Sequence, residues 1–355
     1  MRTKTWAGIA CAASMTACFA SEDDASLAGN GGNGRSGGVG AAPGTGPEPG
    51  TGPEPGTGPE PLPGQLTAGM WDDNVNWDAF ESYLGRTSTV AGAPGFSMEQ
   101  RRSARDAVAT RSPKEQLDIA LVLDTTGSMH DEIAYLLAEY DALAATVEAR
   151  FPNAEPRWAL IGYGDEGDIY VTQTHDFEAS ASRFRQTLAA LPTTGGGDYP
   201  EAGHAGLAEL IQLSWRSGSV AKVAFWVADA PHHARHAAAL TRTVEDLSQQ
   251  DVHLYPVAAS GADALTEHTM RSAAQLTGGR YIFITDDSGI GNPHREPDIT
   301  CYHVTRLTEA IERALAAELT GALAPPPPDA IVRSVGAPDE DGVCTAEDGT
   351  TTRAY

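Results

Sequence analysis

The feature that most constrains this chain is a repeated change of hydrophobic period between about residues 117 and 319. Leu117 to Leu123 and Val220 to Ala228 are continuous apolar runs, as expected of central strands covered on both faces. Between and after them lie stretches of helical period. In Asp131 to Arg150, Ile133, Leu136, Leu137, Tyr140, Leu143, Ala144 and Val147 fall on one stripe. Strands are expected at Trp158–Tyr163, Ile169–Thr174, Val252–Ala258 and, as the last, Tyr281–Ile284. Helices are expected at Ser180–Leu191, Pro200–Leu213 with Pro200 at its first turn, Ala237–Gln249, Ala264–Leu276 closed by Gly278, and His303–Leu319. Strands alternating with helices predict a doubly wound, mostly parallel α/β sheet with helices on both faces, reached by right-handed crossovers.

In such a sheet, ligand sites form where strands end and helices begin. Three clusters sit there. Asp124-Thr125-Thr126-Gly127-Ser128 follows the first run, placing Asp124, Thr126 and Ser128 at i, i+2 and i+4. A carboxylate with two hydroxyls suits a hard cation, although the same residues also serve as turn and N-cap formers. Thr193 to Glu201 is a glycine-rich loop carrying Asp198 and ending in a carboxylate just before a helix. Asp229 ends the buried run Val223 to Ala228. A buried strand running into a carboxylate leaves that group costly unless it is paired or metal-bound, so the concurrence favours a site. Asp131 and Glu132, in the first turn of their helix, are explained by the helix dipole. Gly164-Asp165-Glu166-Gly167-Asp168 reads as a hairpin turn with a weak Ca2+ option.

On these residues, Leu117 to Gly321 resembles a von Willebrand factor A domain, of the bacterial secreted or lipoprotein type. Asp124, Thr126 and Ser128 match the first loop of that family's metal-ion-dependent adhesion site, in a Thr-Gly-Ser form, and Asp229 matches the third-loop Asp. The family's second loop usually offers a Thr, and Asp198 stands at the corresponding place, with Thr193 or Thr194 as replacements if it does not. Thr285 to Gly291 is also similar to bacterial members. The resemblance implies Mg2+ or Ca2+ held by Asp124, Thr126, Ser128, Asp198 and Asp229, and capture of a protein or extracellular-matrix ligand at a cell surface. Such a module is not an enzyme. With three acids near one ion, metal retention should be firmer, and the pull on a partner's carboxylate weaker, than in the family at large. The alternative is a metal-dependent hydrolase of the cell envelope.

Other chemistries fit less well. His232 and His236, at i and i+4 beside His233, would suit Zn2+ on a helix, but no Glu lies between them as a zinc-protease helix requires. No Gly-x-Ser-x-Gly nucleophile elbow follows any of the expected strands, and the glycine-rich loop lacks the Lys of a phosphate-binding loop. The formal charge of −24, more negative by two without Arg2 and Lys4, argues against nucleic acid and against anionic lipid surfaces.

The flanks address the chain rather than build its core. Arg2 and Lys4 before the short apolar run Trp6 to Ala17 read as an export signal, residues 1–17. Met15-Thr16-Ala17-Cys18 resembles a lipobox, which would lipidate Cys18 and leave a lipid anchor as the membrane attachment in the bacterial envelope; secretion after cleavage near Ala20 is the alternative. Residues 18–64 include Pro-Gly-Thr-Gly-Pro-Glu at 43–48, 49–54 and 55–60, read as a disordered tether. Residues 65–116, with Trp71 and Trp77 among acids and amides, read as a strap docked on the domain at 117–321, or else as a sugar- or Ca2+-binding patch. Cys301 and Cys344 form one potential disulfide that would tie the tail, 322–355, back to the domain.

Overall fold

The computed structural model describes residues 61–355 apart from 193, 194, 196–198, 347 and 348. The expectations at Cys18, at the repeats and at Asp198 lie outside the described residues. The elements are β1 (Thr67–Trp71), α1 (Trp77–Thr87), α2 (Met98–Val108), β2 (Gln116–Asp124), α3 (His130–Arg150), β3 (Arg157–Tyr163), β4 (Thr172–Glu178), α4 (Ala181–Ala189), α5 (Gly203–Glu209), β5 (Val220–Ala228), α6 (Ala237–Gln249), β6 (Val252–Ala258), α7 (Ala264–Thr277), β7 (Tyr281–Ile284), β8 (Tyr302–Arg306), α8 (Leu307–Thr320), β9 (Arg333–Val335), β10 (Val343–Thr345) and β11 (Thr351–Arg353).

Nine strands form one sheet in the order β4-β3-β2-β5-β6-β7-β1-β8-β9. Strands β3, β2, β5, β6 and β7 run parallel. Strand β4 pairs with β3 antiparallel at one edge, and β1 pairs antiparallel with both β7 and β8. The continuous apolar runs divide by period two between the faces. Leu117, Ile119, Leu123, Val223, Phe225 and Val227 meet Ile133, Tyr140, Leu143 and Val147 of α3 and Ile311 and Leu315 of α8. Ala120, Val122, Ala224, Trp226 and Ala228 meet Leu207 of α5, Leu240, Val244 and Leu247 of α6, and Met270 and Ala273 of α7. Each fully buried large side chain contributes roughly 1.5–3 kcal/mol, so these two layers hold the strands whose C-terminal ends lead into the candidate loops.

Residues 65–71 enter the sheet. The Glu139 carboxylate accepts the backbone N–H groups of Gly64, Gln65 and Leu66 at 2.8, 2.8 and 2.9 Å. Strand β1 then runs between β7 and β8, and Gly69 lies so close to the Phe283 ring that any Cβ there would overlap it. The polar residues that follow have structural partners. Asp72 accepts from the Asn74 and Val75 amides and pairs with Arg280, while Asp73 pairs with Arg271 and accepts the Trp71 indole N–H. Cys301 and Cys344 are disulfide-bonded, Cα to Cα 6.0 Å, joining the β10–β11 hairpin to the start of β8.

Several expected boundaries shift. The hairpin strand begins at Thr172, not Ile169, since Asp168 folds back to accept the Asp165 amide and extends the turn. Pro200 is not a helix start: Glu201 is held in a bridge to His232, so α5 begins only at Gly203. Tyr281–Ile284 is not the last strand, because Tyr302–Arg306 extends beside β1 and delays α8 to Leu307. No helix among the described residues is long and apolar enough to cross a membrane.

Candidate metal centre

The loop after β2 sends alternate side chains to opposite sides. Asp124 Oδ1 accepts from the Thr126 backbone N–H at 3.0 Å and from the Thr126 hydroxyl at 2.6 Å, and the Thr126 and Ser128 hydroxyl oxygens lie 3.2 Å apart. Thr125 turns away, donating to the Tyr163 carbonyl at 2.7 Å. Asp124, Thr126 and Ser128 therefore share one side of the loop, as their spacing predicts. Asp124 and Thr126 are buried, and Ser128, in a 3₁₀ turn, is exposed. The second carboxylate oxygen, Asp124 Oδ2, is buried with no hydrogen-bond partner. Burial, and then the charge of Asp229, push the Asp124 carboxyl up to about 7.

Of the second loop, Gly195 is described. Its carbonyl accepts from the Gly127 N–H at 3.2 Å, tying this loop to the first. Its φ is +104°, and a Cβ there would collide with the Asp168 carboxylate, so glycine is required on two counts. Asp198, Thr193 and Thr194 lie outside the described residues.

The loop's last acid, Glu201, is a functional candidate that the sequence reading left off its list of ligands. Its N–H donates to the Pro231 carbonyl at 2.9 Å, and it bridges to His232 in the third loop. This cross-loop pairing leaves the side chain 4 % exposed, with Oε2 lacking a hydrogen-bond partner. Burial and the charges of Asp124, Asp165, Asp168 and Asp229 push its carboxyl up to about 9. The only signal in the sequence is its place at the loop's end, because the burial comes from a contact with residues some thirty positions later. Asp229 follows β5 directly, is buried, and acts electrostatically on both Asp124 and Glu201.

The structure thus gathers Asp124, Glu201 and Asp229, with the hydroxyls of Thr126 and Ser128, at the C-terminal end of the parallel strands. Among the described residues no three of these acids bring ligand oxygens within 4.8 Å of one another, so an ion held here would also bind hydroxyls and water. Two buried carboxylate oxygens without partners and an all-oxygen donor set fit a hard divalent cation.

The neighbouring groups are otherwise engaged. Glu132, beyond its place near the helix dipole, is buried and accepts the Ser260 N–H at 2.8 Å, with His294 Nε2 3.2 Å away. His294 also bonds Asp286, so the 285–294 segment is fixed beside the site. His232 lies 3.0 Å from the Gly92 carbonyl and is not joined to His236. Instead His233 bonds Asp165 at 2.6 Å, His236 bonds Glu166 at 2.6 Å, and the His204 ring stacks on His236 at 3.9 Å. Burial and the neighbouring His236 push His204 down to about 4.

Residues 118–286 match the family model described as von Willebrand factor A domain, just under half of the chain. The fold and this match support a protein carrying such a domain. An ariadne-like RING finger protein R811 of Acanthamoeba polyphaga mimivirus is 27% identical over 122 residues, 34% of this chain. The aligned region is 12% of that relative's length, so the chain spans only a small part of it. Two crystal structures of the pilus adhesin SpaC from Lactobacillus rhamnosus GG align at a TM-score of 0.36 each, with 13% and 14% identity. Those alignments cover 47% and 52% of this chain and 28% and 29% of the adhesin chain.

Proposed function

We propose that this protein is a cell-surface binding module that engages a protein or extracellular-matrix ligand through a divalent cation, Mg2+ or Ca2+, at the C-terminal end of its sheet. The hydroxyls of Thr126 and Ser128 bind the ion directly, Asp124 and Asp229 directly or through water, and the second loop contributes Asp198 and Glu201. The observation that carries this reading is the pair of buried, unpartnered carboxylate oxygens on Asp124 and Glu201, in one crevice with Asp229. A divalent cation offsets the repulsion that raises both carboxyls. Because several acids already face the ion, it draws less strongly on a carboxylate from the partner than an ion held mainly by hydroxyls would. Presentation at the surface of a bacterial envelope, through a lipid on Cys18 and the tether of residues 18–64, belongs to the same proposal.

The test is calorimetric titration of Mg2+ and Ca2+ into chelator-treated protein, together with capture of purified matrix proteins in Mg2+ or EDTA. Wild type should bind one ion at this site and show EDTA-sensitive capture. Asp124→Asn and Asp229→Asn should lose both properties. Capture that survives EDTA and both substitutions would refute the reading.

A further inference from the structure

A second cluster of metal-ligand chemistry lies outside the oxygen-rich crevice. Glu166 sits in the β3–β4 loop, His204 in the first turn of α5, and His236 immediately before α6. One ligand atom from each lies within 4.8 Å of the other two. Donors bound tetrahedrally at about 2.1 Å are roughly 3.4 Å apart, so the spacing is close to what an ion needs, and one imidazole must rotate out of the stack for both in-plane lone pairs to meet at the ion.

The three side chains are already held together by direct contacts. His236 Nε2 is 2.6 Å from Glu166 Oε1. The His204 and His236 rings are stacked with their planes 11° apart, and His204 Nδ1 is buried without a hydrogen-bond partner. The other Glu166 oxygen accepts from Arg235 at 2.6 Å, and Arg235 also lies 3.1 Å from His233 Nδ1. The Arg235 side chain is more than half exposed, so it is free to leave when a cation takes its place.

We propose that Glu166, His204 and His236 form a second metal site, for a borderline transition metal of the Zn2+ class, with water in the fourth position. Two imidazole nitrogens and one carboxylate suit such an ion, whereas Mg2+ and Ca2+ prefer the all-oxygen crevice. Donor chemistry therefore sorts two kinds of ion between two nearby sites. The location gives the second ion a role. His204 lies three residues after Glu201 in the second loop and His236 seven after Asp229 in the third, while Glu166 belongs to the hairpin beside them. An ion joining these residues braces the two loops that carry the acids of the first site.

The experiment uses tag-free, chelator-stripped full-length protein titrated with Co2+ as a spectroscopic probe, with Zn2+ and excess Mg2+ as competitors. The expected result is one Co2+ with the visible absorption of a four-coordinate, imidazole-containing site, displaced by Zn2+ and not by Mg2+. That spectrum should persist in Asp229→Asn and disappear in His204→Ala and His236→Ala, with folding checked by circular dichroism. Glu166→Gln, at an exposed position where misfolding is not expected, should weaken binding at least about tenfold. Arg235→Ala, which removes the competing cation, should tighten it. An absent Co2+ spectrum in wild type, unchanged binding in folded His204→Ala or in Glu166→Gln, or weaker binding in Arg235→Ala would each overturn the proposal. Loss of the spectrum in Asp229→Asn with retention in the histidine variants would also overturn it, by moving the ion to the oxygen site.

Discussion

Replacing Glu201 by Gln should stabilise the ion-free protein and at the same time remove much of its response to Mg2+ or Ca2+. Glu201 is 4 % exposed and its carboxyl is pushed from 4.5 up to about 9 by burial and by four nearby acids. Because the folded value lies above the unfolded one, the folded state holds the proton more tightly, and stability falls as pH rises from about 4.5 towards 9. At pH 7 the group has cost about 3 kcal/mol, from some 2.5 units at 1.36 kcal/mol each. Glu201→Gln removes this penalty and adds an amide that must find a partner, at about 1 kcal/mol. The net gain expected in EDTA at pH 7 is therefore about 2 kcal/mol, shrinking to nothing or reversing near pH 4.

Urea denaturation in EDTA, at several pH values from 4 to 8, measures the gain. The same curves with Mg2+ at about 100 times its dissociation constant should show wild type gaining about 2.7 kcal/mol and the variant clearly less. A variant that is less stable than wild type in EDTA at pH 7 would refute the argument. So would a gain that does not change between pH 7 and pH 4, because the acid-specific repulsion would then not be its cause.

Arg271→Met should cost about 3–5 kcal/mol, since Arg271 is fully buried between Asp73 and Glu267: buried Asp73 would lose its cationic partner and Glu267 would keep only Arg295. Thermal melts check this, and the double variant with Asp73→Asn should recover part of the loss. Reducing the Cys301–Cys344 disulfide, which spans 43 residues, should cost about 4 kcal/mol by the chain-entropy relation, read from denaturation with and without reductant. Glu318 is held down to about 2, against buried opposition, by His253 and then Arg111, while His253 is raised by Glu318. The Glu318 contribution, about 3 kcal/mol, is present above pH 4.5 and lost as pH falls towards 2; the His253 contribution is present below pH 6.5 and lost as pH rises through its raised value. The stability difference between wild type and Glu318→Gln should therefore be greatest between about pH 4.5 and 6.5 and shrink on both sides.

What the sequence discloses here depends on how local the responsible physics is. The parallel strands were legible because two-sided burial leaves a continuous apolar run, and Val220–Ala228 and Val252–Ala258 have the expected bounds. The first loop was legible because Asp124, Thr126 and Ser128 are organised by contacts two residues apart. Strand β8 was not, because Tyr302–Arg306 has the same apolar spacing as the helix that follows and is made a strand by pairing with Thr67–Gly69. Glu166, His204 and His236 were missed as a group because they come from three separate segments of the chain and no single stretch contains a ligand pattern.

Glu201 shows how such a non-local contact can alter chemistry. Its sequence neighbours, Pro200 and Ala202, suggest a helix entry, where an acid would be ordinary. The hydrogen bond from its N–H to Pro231, and the bridge to His232, instead pull the second loop against the third and delay α5 to Gly203. That pairing makes the carboxylate at the loop's end a buried acid that interacts with Asp124 and Asp229. Disrupting the bridge should therefore do more than loosen a loop. Pro231→Gly retains the accepting carbonyl but frees the backbone that positions it, so it should lower the affinity for Mg2+ while leaving all the acids in place. Calorimetry would show this as a weaker constant with unchanged stoichiometry. Unaltered affinity would mean that the bridge is a bystander and that the acids are positioned by their own strands alone.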